Sequence, residues 1–442
     1  MEDLLAARTQ MAVSLMFHIL FAIAGMAMPV LMVVSEWLWL RRRQEHYLDL
    51  TRRWAKGTAI LFAVGAVSGT VLSFELGLLW PAFMEHAGPI IGMPFSLEGF
   101  AFFTEAIFLG IYLYGWRRVP PWAHWWAGVV VAVSGALSAV FVVAANAWMN
   151  TPTGFDLVDG RMVNIDPIAA LFNPAFLPQA VHMLLAAYAA VGFAVAGIHA
   201  FVLLRHPGSR FHRSALSIAL LLGGPAALLM PLSGDLLAQR VADTQPAKLA
   251  AMEGQFETEA GAPLRIGGLP DPESRTTRWA VEIPYAMSLL AYHDPHATVT
   301  GLNDIPRENW PNPVLVHLSF QVMVICGGAM ALLALATGLL RLRRRPLAES
   351  RWLLRALVVA SPLGVLAIEA GWCVTELGRQ PWIIQGVMRT RDALTPMPGL
   401  VVPLVTISAV YVVLGVIVVF LLRRHVISTV PGEETPPEAV PV

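Results

Sequence analysis

Four side chains able to bind iron lie in strongly apolar surroundings: His18 in "SLMFHILF", His182 in "PQAVHMLL", Met323 in "SFQVMVICGG" and Glu376 in "GWCVTELGRQPW". Placing a charged group in lipid costs up to about 3 kcal/mol, so ionisable residues there are functional candidates by default. A zinc site would not pair Met with Glu, whose ligand chemistries are too unlike. Haem iron accepts all of these donors. A His–Met pair gives six-coordinate, low-spin iron suited to electron transfer, and iron with a single protein ligand keeps a face open for oxygen. A haem clamped between histidines on one helix would need them to share a face. His182 and His199 are about 100° apart around a helix, so that arrangement is not supported.

Two carboxylates add a second kind of chemistry. Glu98 and Glu105 in "FSLEGFAFFTEAIF" are two turns apart on one face of a helix otherwise rich in Phe, Ile and Leu. They read as a proton path or a haem-facing pair. Ser134, Ser138 and Asn146, in the small-residue run "SGALSAVFVVAANAWMN", read as helix-packing residues.

The elements that must carry these groups are membrane helices. Of 442 residues, 56% are hydrophobic and 14% charged, with a mean hydropathy of +0.62, values that point to a polytopic membrane protein. A spanning helix needs about 20 apolar residues. Nine such spans are expected, near 11–39, 55–80, 95–115, 122–148, 178–204, 214–236, 313–341, 352–375 and 399–422. The fold class is therefore all-α, a single membrane domain over 1–425. A polar stretch, 237–312, forms a long loop between the sixth and seventh spans, and 426–442 reads as a disordered tail. Of 30 Lys and Arg residues, 19 fall at one set of span ends, which places the N-terminus outside and the C-terminus and tail in the cytoplasm. On that orientation His18, His182, Met323 and Glu376 share one depth, in the outer half of the membrane.

Zero net charge gives no basic patch for nucleic acid. Cys326 and Cys373 sit in apolar runs and read as buried hydrophobes. No cleavable signal peptide is expected, because Glu2 and Asp3 precede an apolar run too long for one.

These motifs resemble subunit I of the cytochrome bd-type quinol oxidases over nearly the whole chain. The resemblance rests on "MFHILF", "LEGFAFFTEAIFLGIYLYGW", "ANAWMNTPTG", "FQVM" and "GWCVTELGRQPW", in that order. It implies His182 and Met323 as axial ligands of a low-spin haem b. It implies His18 and Glu376 as ligands of two high-spin haems, a haem b and a haem d (or a third haem b in its place). Trp372 and Arg379 match residues packed on the haems and their propionates, and Glu98 and Glu105 match acids beside the oxygen-reducing haems. Lys248 and Glu253, in "AKLAAMEGQFETE", match residues tied to quinol oxidation. Gln321 stands where many relatives carry Arg, beside the low-spin haem, and the loop corresponds to a short form similar to that of cyanide-insensitive oxidases.

The expected protein is thus a multi-pass subunit of the bacterial cytoplasmic (inner) membrane. It would oxidise ubiquinol or menaquinol at the outer face, reduce O2 to water and generate proton motive force. Its partners would be subunit II, a small single-span subunit and membrane lipid. The rival readings are a haem-binding sensor or scaffold without oxidase activity, and a proton-coupled transporter.

Overall fold

The computed structural model describes residues 2–427; of the tail expected at 426–442, residues 428–442 lie outside the described residues. Thirteen α-helices follow in chain order: α1 (Asp3–Arg42), α2 (Glu45–Leu79), α3 (Pro81–Tyr114), α4 (Pro121–Asn150), α5 (Pro167–Leu171), α6 (Phe176–Arg205) and α7 (Arg210–Thr244). After them come α8 (Pro246–Glu253), α9 (Ala286–Tyr292), α10 (Pro313–Leu342), α11 (Arg351–Ala360), α12 (Leu363–Gly378) and α13 (Val401–Leu422). Nine spans among the described residues are long and apolar enough to cross a membrane, with α11 and α12 forming one of them. Pro362 separates those two helices, because proline has no N–H to continue the ladder.

Several helices start at proline, at the position where a missing N–H costs nothing: Pro81, Pro121, Pro246 and Pro313. Four boundaries differ by eight residues or more from the sequence reading. α1 begins at Asp3 and α2 at Glu45, eight and ten residues before the expected spans. α3 begins at Pro81, fourteen residues before the expected span, and Pro89 and Pro94 lie inside it. α7 runs on to Thr244, so its last turns belong to what reads as loop. In α3 and α7 the helix continues past the apolar stretch by packing on neighbouring protein. Phe83, Ala87, Ile90 and Ile91 of α3 join a buried cluster with Trp80, Trp148 and Ile384.

α6 is the centre of the bundle, with two-thirds of its apolar core buried, whereas α2, α3 and α13 are mostly exposed. Its small residues allow this. Gly192 meets Gly223 of α7, where an added Cβ would sit 2.5 Å from the Gly223 Cα, and Ala187, Ala189, Ala190, Ala196 and Ala200 are all fully buried. Close backbone approach between small residues is how helices gain packing energy in lipid. The exposed faces of α2 and α3 present Phe74, Leu78, Phe100, Phe103 and Ile107.

The long segment between α7 and α10 folds over one end of the bundle, opposite the arginine-rich end. α8 is closed by Gly254 in the left-handed conformation, φ +61°. A nested antiparallel hairpin pairs Leu264–Ile266 with Val281–Ile283 and Leu269–Asp271 with Thr276–Arg278. The α12–α13 connection supplies a smaller hairpin in which Trp382–Ile384 pairs with Met388–Arg389.

Candidate functional site

His18 and His182 are held in the same way. His18 Nδ1 lies 2.9 Å from Ser68 Oγ of α2, and that hydroxyl donates its only proton to the Val64 carbonyl at 2.9 Å. With its proton placed there, Ser68 accepts from His18 when Nδ1 carries the ring proton. His182 Nδ1 lies 3.0 Å from Ser233 Oγ of α7, whose proton goes to the Met230 carbonyl at 3.0 Å. A donating Nδ1 leaves Nε2 with a free lone pair, the form a metal requires. Other buried imidazoles are differently engaged. His317 faces the carbonyls of Met252 (2.8 Å) and Gly267 (3.0 Å) with its two nitrogens. His124 meets the Glu36 carboxylate at 2.7 Å and the Tyr112 carbonyl at 2.8 Å. His199 pairs with His212 at 2.8 Å, and both are buried.

Met323 of α10 faces α12, where only a glycine leaves it room: an added Cβ on Gly371 would lie 3.1 Å from the Met323 sulfur. Trp372 packs against the principal core. Among the described residues no three of His, Cys, Asp and Glu gather as they would around a bare metal ion. The candidate ligands are held separately, on α1, α6, α10 and α12.

Glu376 lies at the loop end of α12, where side chains from four helices meet. Its Oε1 accepts from Asn146 Nδ2 of α4 at 2.7 Å, and its Oε2 accepts from Arg379. Arg379 is 4% exposed, yet its Nε and Nη1 have no partner. Asn146 Oδ1 accepts from Gln179 of α6 at 2.8 Å and from Asn150 at 3.2 Å. Asn150 Oδ1 in turn accepts from Lys248 Nζ of α8 at 2.5 Å. Asn146, expected only to pack, thus touches a candidate ligand. Its spacing gave no signal, because an Asn in a small-residue helix has the same spacing in either role; only its place in the motif "ANAWMNTPTG" marked it.

Beside Lys248 opens a cleft of about 230 Å³, lined by Gln245, Lys248, Asn309, Arg379, Gln380 and Trp382 among others. Lys248 is buried, and desolvation, with the Arg379 guanidinium nearby, brings its ammonium down to about 7 against a smaller opposing pull from Glu376. At the other end of α8, burial pushes the Glu253 carboxyl up to about 8, while Arg265 pulls it down. Glu253 Oε2 has no hydrogen-bond partner. Arg265 is shared with Gln255 and with Glu282, at 3.0 Å. Gln321, expected beside the low-spin haem, spends its amide on the loop: Oε1 accepts from the Gly267 N–H at 3.0 Å and Nε2 donates to the Arg265 carbonyl at 3.1 Å.

Glu98 and Glu105 face α4 as their spacing requires. Ser138 donates to Glu98 at 3.1 Å, so this acid is not unpartnered and Ser138 does more than pack. Glu105 lies against Gly135 of α4 and Gly25 of α1, whose lack of side chains makes its pocket. Ser134 turns its hydroxyl back to the Val130 carbonyl at 2.6 Å. Two turns further toward the arginine-rich end, Tyr112 donates to Glu36 at 2.6 Å in a fully buried cluster with His124.

The family model described as "Cytochrome bd terminal oxidase subunit I" matches residues 6–430. The chain is 39% identical over 436 residues to a putative cytochrome bd menaquinol oxidase subunit I of Bacillus subtilis, covering 96% of this chain and 98% of that protein. It is 32% identical to a cytochrome bd ubiquinol oxidase subunit 1 of the same organism, over 96% of this chain and 94% of that one. Among solved structures, the bd oxidase from Geobacillus thermodenitrificans superposes with a TM-score of 0.91 at 40% identity, covering 97% of this chain and 99% of that chain.

Proposed function

Because the chain belongs to the cytochrome bd terminal oxidase subunit I family, we propose that His182 and Met323 ligate a low-spin haem b and that His18 and Glu376 each ligate a high-spin haem. The enzyme is a quinol oxidase and the chain its multi-pass membrane subunit, with haem cofactors and a subunit II partner. The two high-spin haems are a haem b and a haem d, or a third haem b. A small single-span subunit and lipid cover the exposed faces of α2 and α3. Arginine placement supports an outer N-terminus and a cytoplasmic C-terminus, in the bacterial cytoplasmic membrane.

The residues present fit haem. In the Nδ1-protonated tautomer, whose proton Ser68 and Ser233 can accept, His18 and His182 leave Nε2 free for iron. Arg379 has two buried nitrogens without partners, a donor set suited to a propionate. The haems, once bound, supply electron transfer and the reduction of oxygen. The chain supplies the rest. Quinol, whether ubiquinol or menaquinol, gives up two protons as it is oxidised, and the Glu253 carboxylate accepts one. Lys248 holds its end of α8 through Asn150. Gln321 and His317 pin the loop hairpin onto α10 above Met323, fixing the quinol side against the low-spin site. Glu105 passes protons to Glu98, since a bare proton cannot cross hydrocarbon. Protons for water drawn from the cytoplasmic side, with quinol protons released outside, generate proton motive force.

The observation that carries this reading is the repeated Ser–His pairing on α2 and α7. Its test is haem extraction and chromatography of the purified complex, alongside spectra of Glu376→Ala and His18→Ala. Each variant should lose one high-spin haem and keep the low-spin band. Full haem content and unaltered spectra in both would overturn the ligand assignment.

A further inference from the structure

We propose that Asn146 and Asn150 are positioning residues that orient Glu376 toward its iron and tie it to Lys248 of the quinol-oxidation loop. The proposal rests on the reading of Glu376 as a haem ligand and of α8 as part of the quinol site.

The hydrogen bonds have one consistent direction. The Lys248 ammonium can only donate, so with Lys248 charged the Asn150 atom it meets at 2.5 Å is the amide oxygen. Asn150 Nδ2 then points the other way, to the Asn146 carbonyl at 2.9 Å and Asn146 Oδ1 at 3.2 Å. Gln179 Nε2 donates to the same Oδ1 at 2.8 Å. Two donors on Oδ1 leave Asn146 Nδ2 to face Glu376 Oε1 at 2.7 Å. Flipping either amide would set donor against donor, so the chain from Lys248 to Glu376 is fixed end to end.

The geometry has a consequence for the carboxylate. One oxygen of Glu376 is held by Asn146 and the other by Arg379, so the carboxylate cannot rotate freely. Asn146 and Asn150 are one turn apart on α4 and reach α6, α8 and α12 from there. Asn150 and Lys248 are each 4% exposed, so the bond between them is shielded from water. A donor at a ligating carboxylate withdraws charge from it, and metal sites depend on such partners to orient and tune their ligands. Removing that donor makes the carboxylate more electron-rich and favours ferric iron.

The test uses the assembled oxidase, with the low-spin band as internal control for folding. Asn146→Asp keeps the shape and exchanges the donor for an acceptor. It should lower the midpoint potential of one high-spin haem and shift that haem's band, leaving the low-spin haem unmoved. Lys248→Met should move the same high-spin potential in the wild-type background and leave it unmoved in Asn150→Leu. If Asn146→Asp loses haem, Asn150→Leu carries the test, because it leaves the Asn146–Glu376 contact in place. Unshifted potentials in the Asn variants, or additive shifts for Lys248→Met and Asn150→Leu, overturn the relay while the ligand assignment stands. Full high-spin haem in Glu376→Ala overturns the ligand assignment, and the relay with it.

Discussion

Glu253→Gln should remove an alkaline rise in quinol-driven oxygen uptake. Burial lifts the Glu253 carboxyl to about 8, so at pH 7 only about a tenth of molecules carry the carboxylate that can accept a proton. At pH 9 about nine-tenths do, so a step limited by this base accelerates by about tenfold between the two. The sign follows from the raised value: activity grows as pH rises through 8, because the ionised form is the base. Arg265 supports that form, so Arg265→Met should push the rise to higher pH. The assay is steady-state oxygen consumption from pH 6 to 9.5 at saturating quinol, corrected for autoxidation. Reduction of the haems by dithionite serves as control. Glu253→Gln should give a low, flat profile with normal dithionite reduction. A tenfold rise persisting in Glu253→Gln, or a wild-type profile flat across pH 8, would refute the assignment of Glu253 as base.

Three further outcomes follow from the same structure. Ser233→Ala frees the His182 imidazole to change tautomer and should weaken its haem binding by about 10- to 100-fold, read by haem titration of the depleted complex. Glu105→Gln cannot release a proton, so oxygen consumption should stall while stopped-flow reduction of the low-spin haem stays normal; normal uptake with normal membrane potential would end the relay role. Gly192→Leu forces α6 from α7 at a backbone contact and should lower the thermal midpoint of the whole complex, measured by loss of the haem absorbance on heating.

The spans were legible because lipid demands long apolar runs, and that demand leaves the same signal in any sequence. It is weaker wherever protein replaces lipid. The first turns of α3, "PAFMEHAGPIIGMP", contain three prolines and two ionisable residues, and only packing against Trp80, Trp148 and Ile384 makes them helical. His18, His182 and Glu376 stand out as polar groups in apolar surroundings, whereas Met323 is indistinguishable from a core residue without the motif "FQVM", and "GRQPW" marks the end of α12. Their supports do not stand out. Ser68 and Ser233 are ordinary span serines until the fold sets them beside histidines 50 and 51 positions away in sequence. Asn146 and Glu376 are 230 residues apart. Gln321 is placed by the resemblance, where many relatives carry Arg, and the hydrogen bonds of its amide to the loop backbone come only from the fold.

The most direct test of the account is the dithionite-reduced visible spectrum of Met323→Leu in the purified oxidase. Leu keeps the volume against Gly371 and removes the thioether, so the fold and both high-spin haems should remain. The account predicts that the low-spin band is lost or shifted and that quinol no longer reduces the remaining haems at the normal rate. A reduced spectrum identical to that of the unsubstituted protein would contradict it.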